Sequence, residues 1–244
     1  MPYVMKAVLF DLGHTLIDYY CDWKGPEARG VGKMYELVSK SSPGEVDRRE
    51  FSAYLGDLLV ETRERKLKEM VEVPLVDVLG RCLERYDVLD EDNLQEGLEI
   101  FYGVLLEDRK LVPGAEEMLS RVKEKGLKIG LISDVAWGLP SEFPLRDIEH
   151  YGLTDFFDDM VFSTDVGLRK PHPKIFKIAL SNLSVAAADS MYVGNSLKQD
   201  IKGAKGVGMK AVLKRSQFCP YEEGVMPDHT VSELQEVDAI LDAK

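Results

Sequence analysis

The run Val4-Met5-Lys6-Ala7-Val8-Leu9-Phe10 is almost continuously apolar and stops at Asp11. A segment of this kind predicts a strand buried on both faces of a parallel sheet. From about Glu27 to Asp108 the apolar spacing becomes helical. Phe51, Tyr54, Leu55, Leu58 and Leu59 recur at i, i+3, i+4, i+7 and i+8, which makes one stripe. Leu75, Leu79, Cys82, Leu83 and Tyr86 make a second, and Leu94, Leu98, Phe101 and Leu105 a third. Ser41-Ser42-Pro43-Gly44 breaks the block between its first two helices, and no strand is predicted inside it. After Pro113 the rhythm alternates. A helix stopped by Gly126 leads to a strand over 127–132, and a strand over 160–162 leads to a helix over 173–184. A strand over 191–193, a helix over 198–207 and a strand over 210–213 follow. A short extended stretch near 229–231 and a helix near 234–241 close the chain.

Strands alternating with helices at this spacing predict an α/β fold, a doubly wound parallel sheet of Rossmann-like type with right-handed crossovers. One strand stands alone before the helical block. The simplest arrangement is an all-helical insertion over residues 18–109 within a core made of 1–17 and 110–244.

Composition narrows the function. The chain has 244 residues, 45% hydrophobic and 30% charged, as in a soluble globular protein of about one or two domains. Its formal net charge of −12 excludes broad non-specific binding to nucleic acid or to anionic membrane, which needs a basic face. Cys21, Cys82 and Cys219 are odd in number and widely spaced, which argues against a disulfide framework or a structural zinc site and fits a reducing cytoplasm. The apolar start is too short for a signal core or a membrane span. The charge clusters at 45–50 and 63–68 read as solvated helix faces.

Ligands of open parallel sheets bind outside the carboxyl ends of the strands. The first predicted strand ends at Asp11-Leu12-Gly13-His14-Thr15, and the second at Ser133-Asp134. Beyond the third come Asp165 and Arg169-Lys170-Pro171. The fourth ends at Gly194-Asn195-Ser196, with Asp200 at the head of the next helix. Two carboxylates, a hydroxyl and an ammonium thus converge on one edge. Taken alone, Asp11 suits a helix N-cap, and Ser133 suits either a cap or a phosphate contact.

The four segments FDLGHTL, LISD, GLRKP and VGNSLKQD, in this order, resemble the motifs of the haloacid dehalogenase-like hydrolases, in the branch with a helical cap. The resemblance covers residues 1–17 and 110–244. It implies that Asp11 is a nucleophile passing through an aspartyl phosphate. It implies further that Ser133 and Lys170 act on the transferring group, with Asp134 and His14 at the substrate. It implies Mg²⁺, held by Asp11, the Gly13 carbonyl, Asn195 and Asp200. The expected partner is a small phosphorylated metabolite, taken up by a monomer or homodimer without nucleic acid or membrane.

Two positions depart from the family pattern. Where phosphatases of the family carry a second Asp in the first motif, Gly13 stands, and Gly13 cannot supply general acid–base help worth about 10²–10⁴ in rate. Asn195 replaces an Asp in the fourth motif, so the cation site has less negative charge. Gly13 is expected to provide the flexibility of the turn, with His14 pointing away or packed rather than acting as a replacement acid. A phosphatase preferring good leaving groups, such as acyl or aryl phosphates, is the leading expectation. The alternatives are a metal-independent dehalogenase-like hydrolase and a catalytically silent member that binds a phospho-ligand or a protein. Tyr19, Tyr20, Trp23 and Arg29 are candidates to line the substrate pocket, and His172 is read as a helix-start residue.

Overall fold

A computed structural model describes residues 5–20, 22–218 and 223–242, so Val4, Cys21 and Cys219 lie outside the described residues. Strands β1 (Ala7–Phe10) and β2 (Ile17–Asp18) precede four helices: α1 (Lys24–Ser41), α2 (Arg48–Glu69), α3 (Leu75–Arg85) and α4 (Glu91–Leu106). The chain continues through β3 (Lys110–Leu111), α5 (Ala115–Glu124), β4 (Lys128–Ser133) and α6 (Glu142–His150). Then come β5 (Asp159–Phe162), the single turn α7 (Ser163–Val166), α8 (Pro173–Asn182) and β6 (Ser190–Gly194). The last elements are α9 (Lys202–Val207), β7 (Lys210–Lys214), β8 (His229–Val231) and α10 (Glu236–Asp242).

Six strands form one parallel sheet in the order β5-β4-β1-β6-β7-β8. The central strand β1 is buried throughout, which explains its unbroken apolar run. Its side chains alternate between two apolar clusters. Val8 and Phe10 face the helical block, α5 and α10, whereas Ala7 and Leu9 face α8 and α9. Helices on both sides are the mark of double winding. The strand order reverses at β1, so the crevice beyond its carboxyl end is where a ligand belongs.

The helices of the block are locally specified. Asp47 caps α2 by accepting from Glu50 N at 2.8 Å, and Met70, with φ 55°, ends it in the left-handed region. Phe51, Leu55, Leu58 and Leu59 are its buried stripe, as the spacing indicated. α1 packs against α2 and α4, and α3 packs against α4. Their apolar side chains are continuous with one face of the sheet in a single cluster.

Three local features differ from the sequence reading. β2 and β3 pair antiparallel, Ile17 opposite Leu111, making a small ribbon at the base of the helical block; two residues are too few to leave a pattern. The helix expected over 198–207 begins as a π-turn, Leu197–Ile201, because Asp200 is drawn back toward the backbone N–H groups of Asn195 and Ser196. Lys66, placed by its sequence neighbours on a solvated face, is buried. It is held there by a carboxylate from the loop that follows its own helix.

Candidate active site

The site begins where β1 ends. Asp11 N donates to Val193 O of β6, which fixes the first residue past the strand, and Leu12 O then accepts the amides of Thr15, Leu16 and Ile17. This tight turn returns the Thr15 hydroxyl to Asp11 Oδ2 at 3.0 Å. The left-handed residue of the turn is His14, with φ 59°, and Gly13 has no such conformation, contrary to the expectation that Gly13 supplies the flexibility. His14 N closes the turn on Ile17 O. The His14 ring packs against Phe218 at a centroid distance of 5.1 Å, with Nδ1 3.4 Å from Asp18 Oδ1.

Lys170 is buried between two carboxylates, 2.6 Å from Asp11 Oδ1 and 2.7 Å from Asp200 Oδ1. It donates as well to Ile132 O and to the Tyr192 hydroxyl, each at 3.1 Å. Tyr192 bonds in turn with Ile132 O and Asp200 Oδ1. The other oxygen of Asp200 accepts the backbone N–H groups of Asn195 at 3.0 Å and Ser196 at 2.9 Å. The four acceptors around Lys170 share the three N–H bonds of its ammonium. Burial lowers the Lys170 affinity for its proton, but the Asp11 and Asp200 charges override it and hold the ammonium well above the ordinary lysine range. For Asp11, burial dominates and pushes the carboxyl up to about 6, with Lys170 pulling down and Asp200 pushing up.

Ser133 ends β4 and is buried; among the described residues none takes up its hydroxyl, and no helix is capped by it. Asp134 turns toward the neighbouring loop. Its Oδ1 accepts Lys170 N at 3.0 Å, and its Oδ2 has only Arg169 at 3.6 Å, without a hydrogen bond. Burial raises the Asp134 carboxyl above its ordinary value, against the pull of Arg169 and Lys170. Asp11, Gly13, His14, Ser133, Asp134, Lys170, Asn195 and Asp200 all line one cleft of about 1010 Å³. Asp165 is exposed on α7 and does not. Tyr19 and Trp23 line the cleft, whereas Tyr20 and Arg29 pair with each other away from it. His172 accepts from Lys174 N and caps α8, the helix-start role.

The Asn195 amide tests the fit for a cation. One of its two heavy atoms lies 3.2 Å from both Asp11 Oδ2 and Asp200 Oδ2. With nitrogen in that place, the amide donates to both carboxylates. With oxygen there, it stands from one oxygen of each carboxylate at nearly the separation of about 3 Å found between adjacent ligands of magnesium at 2.0–2.1 Å. The donor set fits a small hard cation. It is weak in charge, because Asn195 is neutral and Lys170 already sits on both carboxylates; among the described residues no group of three or more His, Cys, Asp or Glu side chains could hold a metal ion.

Several site residues were invisible in the sequence. Tyr192 sits within an apolar strand, and only the need of a buried hydroxyl for a partner hints at its place. Glu72 reaches from beyond α2 to Lys66 at 2.7 Å and Arg169 at 2.5 Å, and it also accepts from Ser163. Ser163 receives Val135 N, so Glu72 ties the helical block to the loops that carry Ser133 and Lys170. Backbone bonds from Glu72 N to Gly167 O and from Arg169 N to Met70 O reinforce the tie. Asp147 of α6, wholly buried, accepts from Tyr19 and Tyr102 at 2.8 Å and from Arg109 at 2.6 Å.

A reversed strand order with an aspartate at the switch point, a lysine between two carboxylates and a helical block after β1 define a capped α/β hydrolase architecture. The chain belongs to the haloacid dehalogenase-like hydrolase family, whose profile matches residues 8–214. It is 38% identical over 248 residues to the glyceraldehyde 3-phosphate phosphatase of Pyrococcus furiosus, covering 98% of this chain and 93% of that one. It is 31% identical over 225 residues to the ribulose-1,5-bisphosphate 5-phosphatase of Halopiger xanaduensis, covering 89% and 86% respectively. The crystal structure of an HAD phosphatase from Thermococcus onnurineus superposes with a TM-score of 0.67 at 26% identity, covering 98% of this chain and 99% of that one.

Proposed function

We propose that this chain is a phosphomonoester phosphatase for small phosphorylated metabolites with good leaving groups, working through Asp11. The supporting observation is the Asp11 carboxylate at the mouth of the crevice, 2.6 Å from a buried ammonium. One Asp11 oxygen attacks phosphorus and the bond to the leaving oxygen breaks, which gives an aspartyl phosphate and a free alkoxide or phenoxide. That oxygen takes its proton from water, since Gly13 offers no acid. Water then attacks phosphorus, the bond to Asp11 breaks, and inorganic phosphate leaves. Lys170 holds Asp11 in place and offsets charge on the phosphoryl oxygens, with the Ser133 hydroxyl as a further donor. The residues 18–109 act as a cap over this reaction, on a core of 1–17 and 110–244.

Asp11, the Gly13 carbonyl, Asn195 and Asp200 are the residues that would hold Mg²⁺. When bound, the cation screens the nucleophile from the incoming phosphate and stabilises charge on the transferring group. A second reading, a metal-independent hydrolase at the same carboxylate, is supported by the ability of the Asn195 amide to satisfy both carboxylates without a cation. The test is phosphate release from aryl phosphates with and without magnesium, together with mass spectrometry of the acid-quenched peptide containing Asp11. Turnover abolished in Asp11→Asn, with a phosphoryl adduct on the wild-type peptide, is expected. Turnover unchanged in that variant would remove Asp11 from the reaction.

A further inference from the structure

We infer that the organic part of the substrate is an uncharged aromatic ring, seated against Trp23 and Trp137; this rests on the phosphatase reading above. Trp137 stands three residues beyond Asp134, and Trp23 stands just before α1. Their ring centroids are 5.3 Å apart at 87°, and both rings are half-buried and line the cleft. Edge-to-face tryptophans at the wall of a cleft offer apolar ring surface to a third ring.

The position of Trp137 is held against a backbone cost. Its φ of 51° is left-handed, which for so bulky a residue is costly and persists only when its surroundings impose it. Lys66 Nζ donates to Trp137 O at 2.8 Å, the indole Nε1 donates to Glu27 Oε2 at 3.3 Å, and Phe101 packs against the ring at 5.2 Å. Three side chains of the helical block thus fix one aromatic wall of the cleft that Asp11 also lines.

Charge on the tryptophan side of the cleft is balanced and favours an uncharged ring there. The helical block presents two cations to the cleft, Arg63 and Lys66. Arg63 is paired with Glu27 at 3.0 Å and Lys66 with Glu72 at 2.7 Å. A second phosphate or a carboxylate on that wall would have to displace Glu27 or Glu72 from its cation; Arg215, exposed at the same cleft, belongs to the core and not to that wall. Such a group would meet Leu67 there, 67% exposed and facing the cleft. The aromatic class also suits Gly13, because a phenoxide leaves without the acid that an alkoxide needs.

The experiment compares non-hydrolysable phosphonates on the wild-type protein by calorimetry, with indole fluorescence as a second readout, since both tryptophans of the chain stand at this wall. Phenylphosphonate is expected to bind about ten-fold more tightly than methylphosphonate, the equivalent of about 1.4 kcal/mol, and to quench the fluorescence. 4-Carboxyphenylphosphonate is expected to bind more weakly than phenylphosphonate. In Trp137→Ala, and in Trp23→Ala should the first variant not fold, the preference for phenyl is expected to shrink. Equal binding of phenyl- and methylphosphonate, or tighter binding of the carboxylated probe, overturns this inference alone. Failure of the phosphonates and of inorganic phosphate to bind overturns the phosphatase reading, and this inference with it.

Discussion

Gly194 has no side chain in the very place that Asp200 fills: a Cβ there would lie 2.5 Å from Asp200 Cγ and 2.6 Å from its Cβ and Oδ2. The glycine that ends β6 thus allows Asp200 to fold back under the strand and reach Lys170. Gly194→Ala is expected to push Asp200 off the ammonium. Overpacking of this kind costs about 1–3 kcal/mol in stability, to be read from urea unfolding, with phosphate release falling alongside. An unchanged midpoint and rate would mean that Asp200 is free to move.

Protonation of Asp11 defines a pH limb. Its carboxyl is pushed up to about 6 by burial, so in chelator-treated protein phosphate release should rise with pH through about 6 and level off above it. The sign for stability follows from the same shift. The folded group holds its proton more tightly than an exposed carboxyl near 3.8, so its contribution is complete below that value and is lost as pH climbs through about 6. Lys170→Met removes the ammonium that pulls the value down, and carbon NMR of the Asp11 carboxyl should then show titration at still higher pH. A fall would contradict the placement of Lys170.

The missing acid can be put back. A Cβ at Gly13 meets no atom within 4 Å, and the residue lines the cleft, so Gly13→Asp is accommodated without strain. Hydrolysis of alkyl phosphates should rise by up to about 10²–10⁴ in this variant, and that of aryl phosphates by much less, because only the poorer leaving group needs the proton. A series of leaving groups of graded acidity measures the difference. Parallel gains across the series would count against it.

Glu72 neutralises one buried cation, Lys66, and one partly buried cation, Arg169. Glu72→Ala leaves the buried Lys66 ammonium without its carboxylate, while Arg169 keeps only Asp134 at 3.6 Å, and breaking a buried pair from one side costs about 3–5 kcal/mol. Trp137 loses its lysine anchor in the same event, so a change in indole fluorescence should accompany the lower unfolding midpoint. By contrast, Glu69→Ala on the exposed Arg65 pair should shift the midpoint little.

The sheet and the residues at its strand ends were legible because each carries a local signature. β1 reads as buried from four consecutive apolar side chains, and Asp11, Ser133, Lys170 and Asp200 stand at fixed offsets from such strands. What escaped is what only long-range contact creates. Lys66 looks like any surface lysine until Glu72 turns back to meet it, and Asp147 gives no sign that residues 128 and 45 positions away will converge on it. The left-handed backbone at His14 rather than Gly13 escaped for another reason: glycine permits that conformation without requiring it.

Asp147 fastens three segments at once, one donor from each approach to the helical block and one from α4. Separating it from all three would expose an unpaired charge and two phenols together, a far larger penalty than any rim contact imposes. The Glu27–Arg63 pair joins α1 to α2 at the cleft rim, is half exposed on the arginine side and is worth about 1 kcal/mol or less. Asp147 and Glu72 are therefore the two firm corners on which the helical block rests, and the rim pair is the contact that an entering solute displaces at least cost.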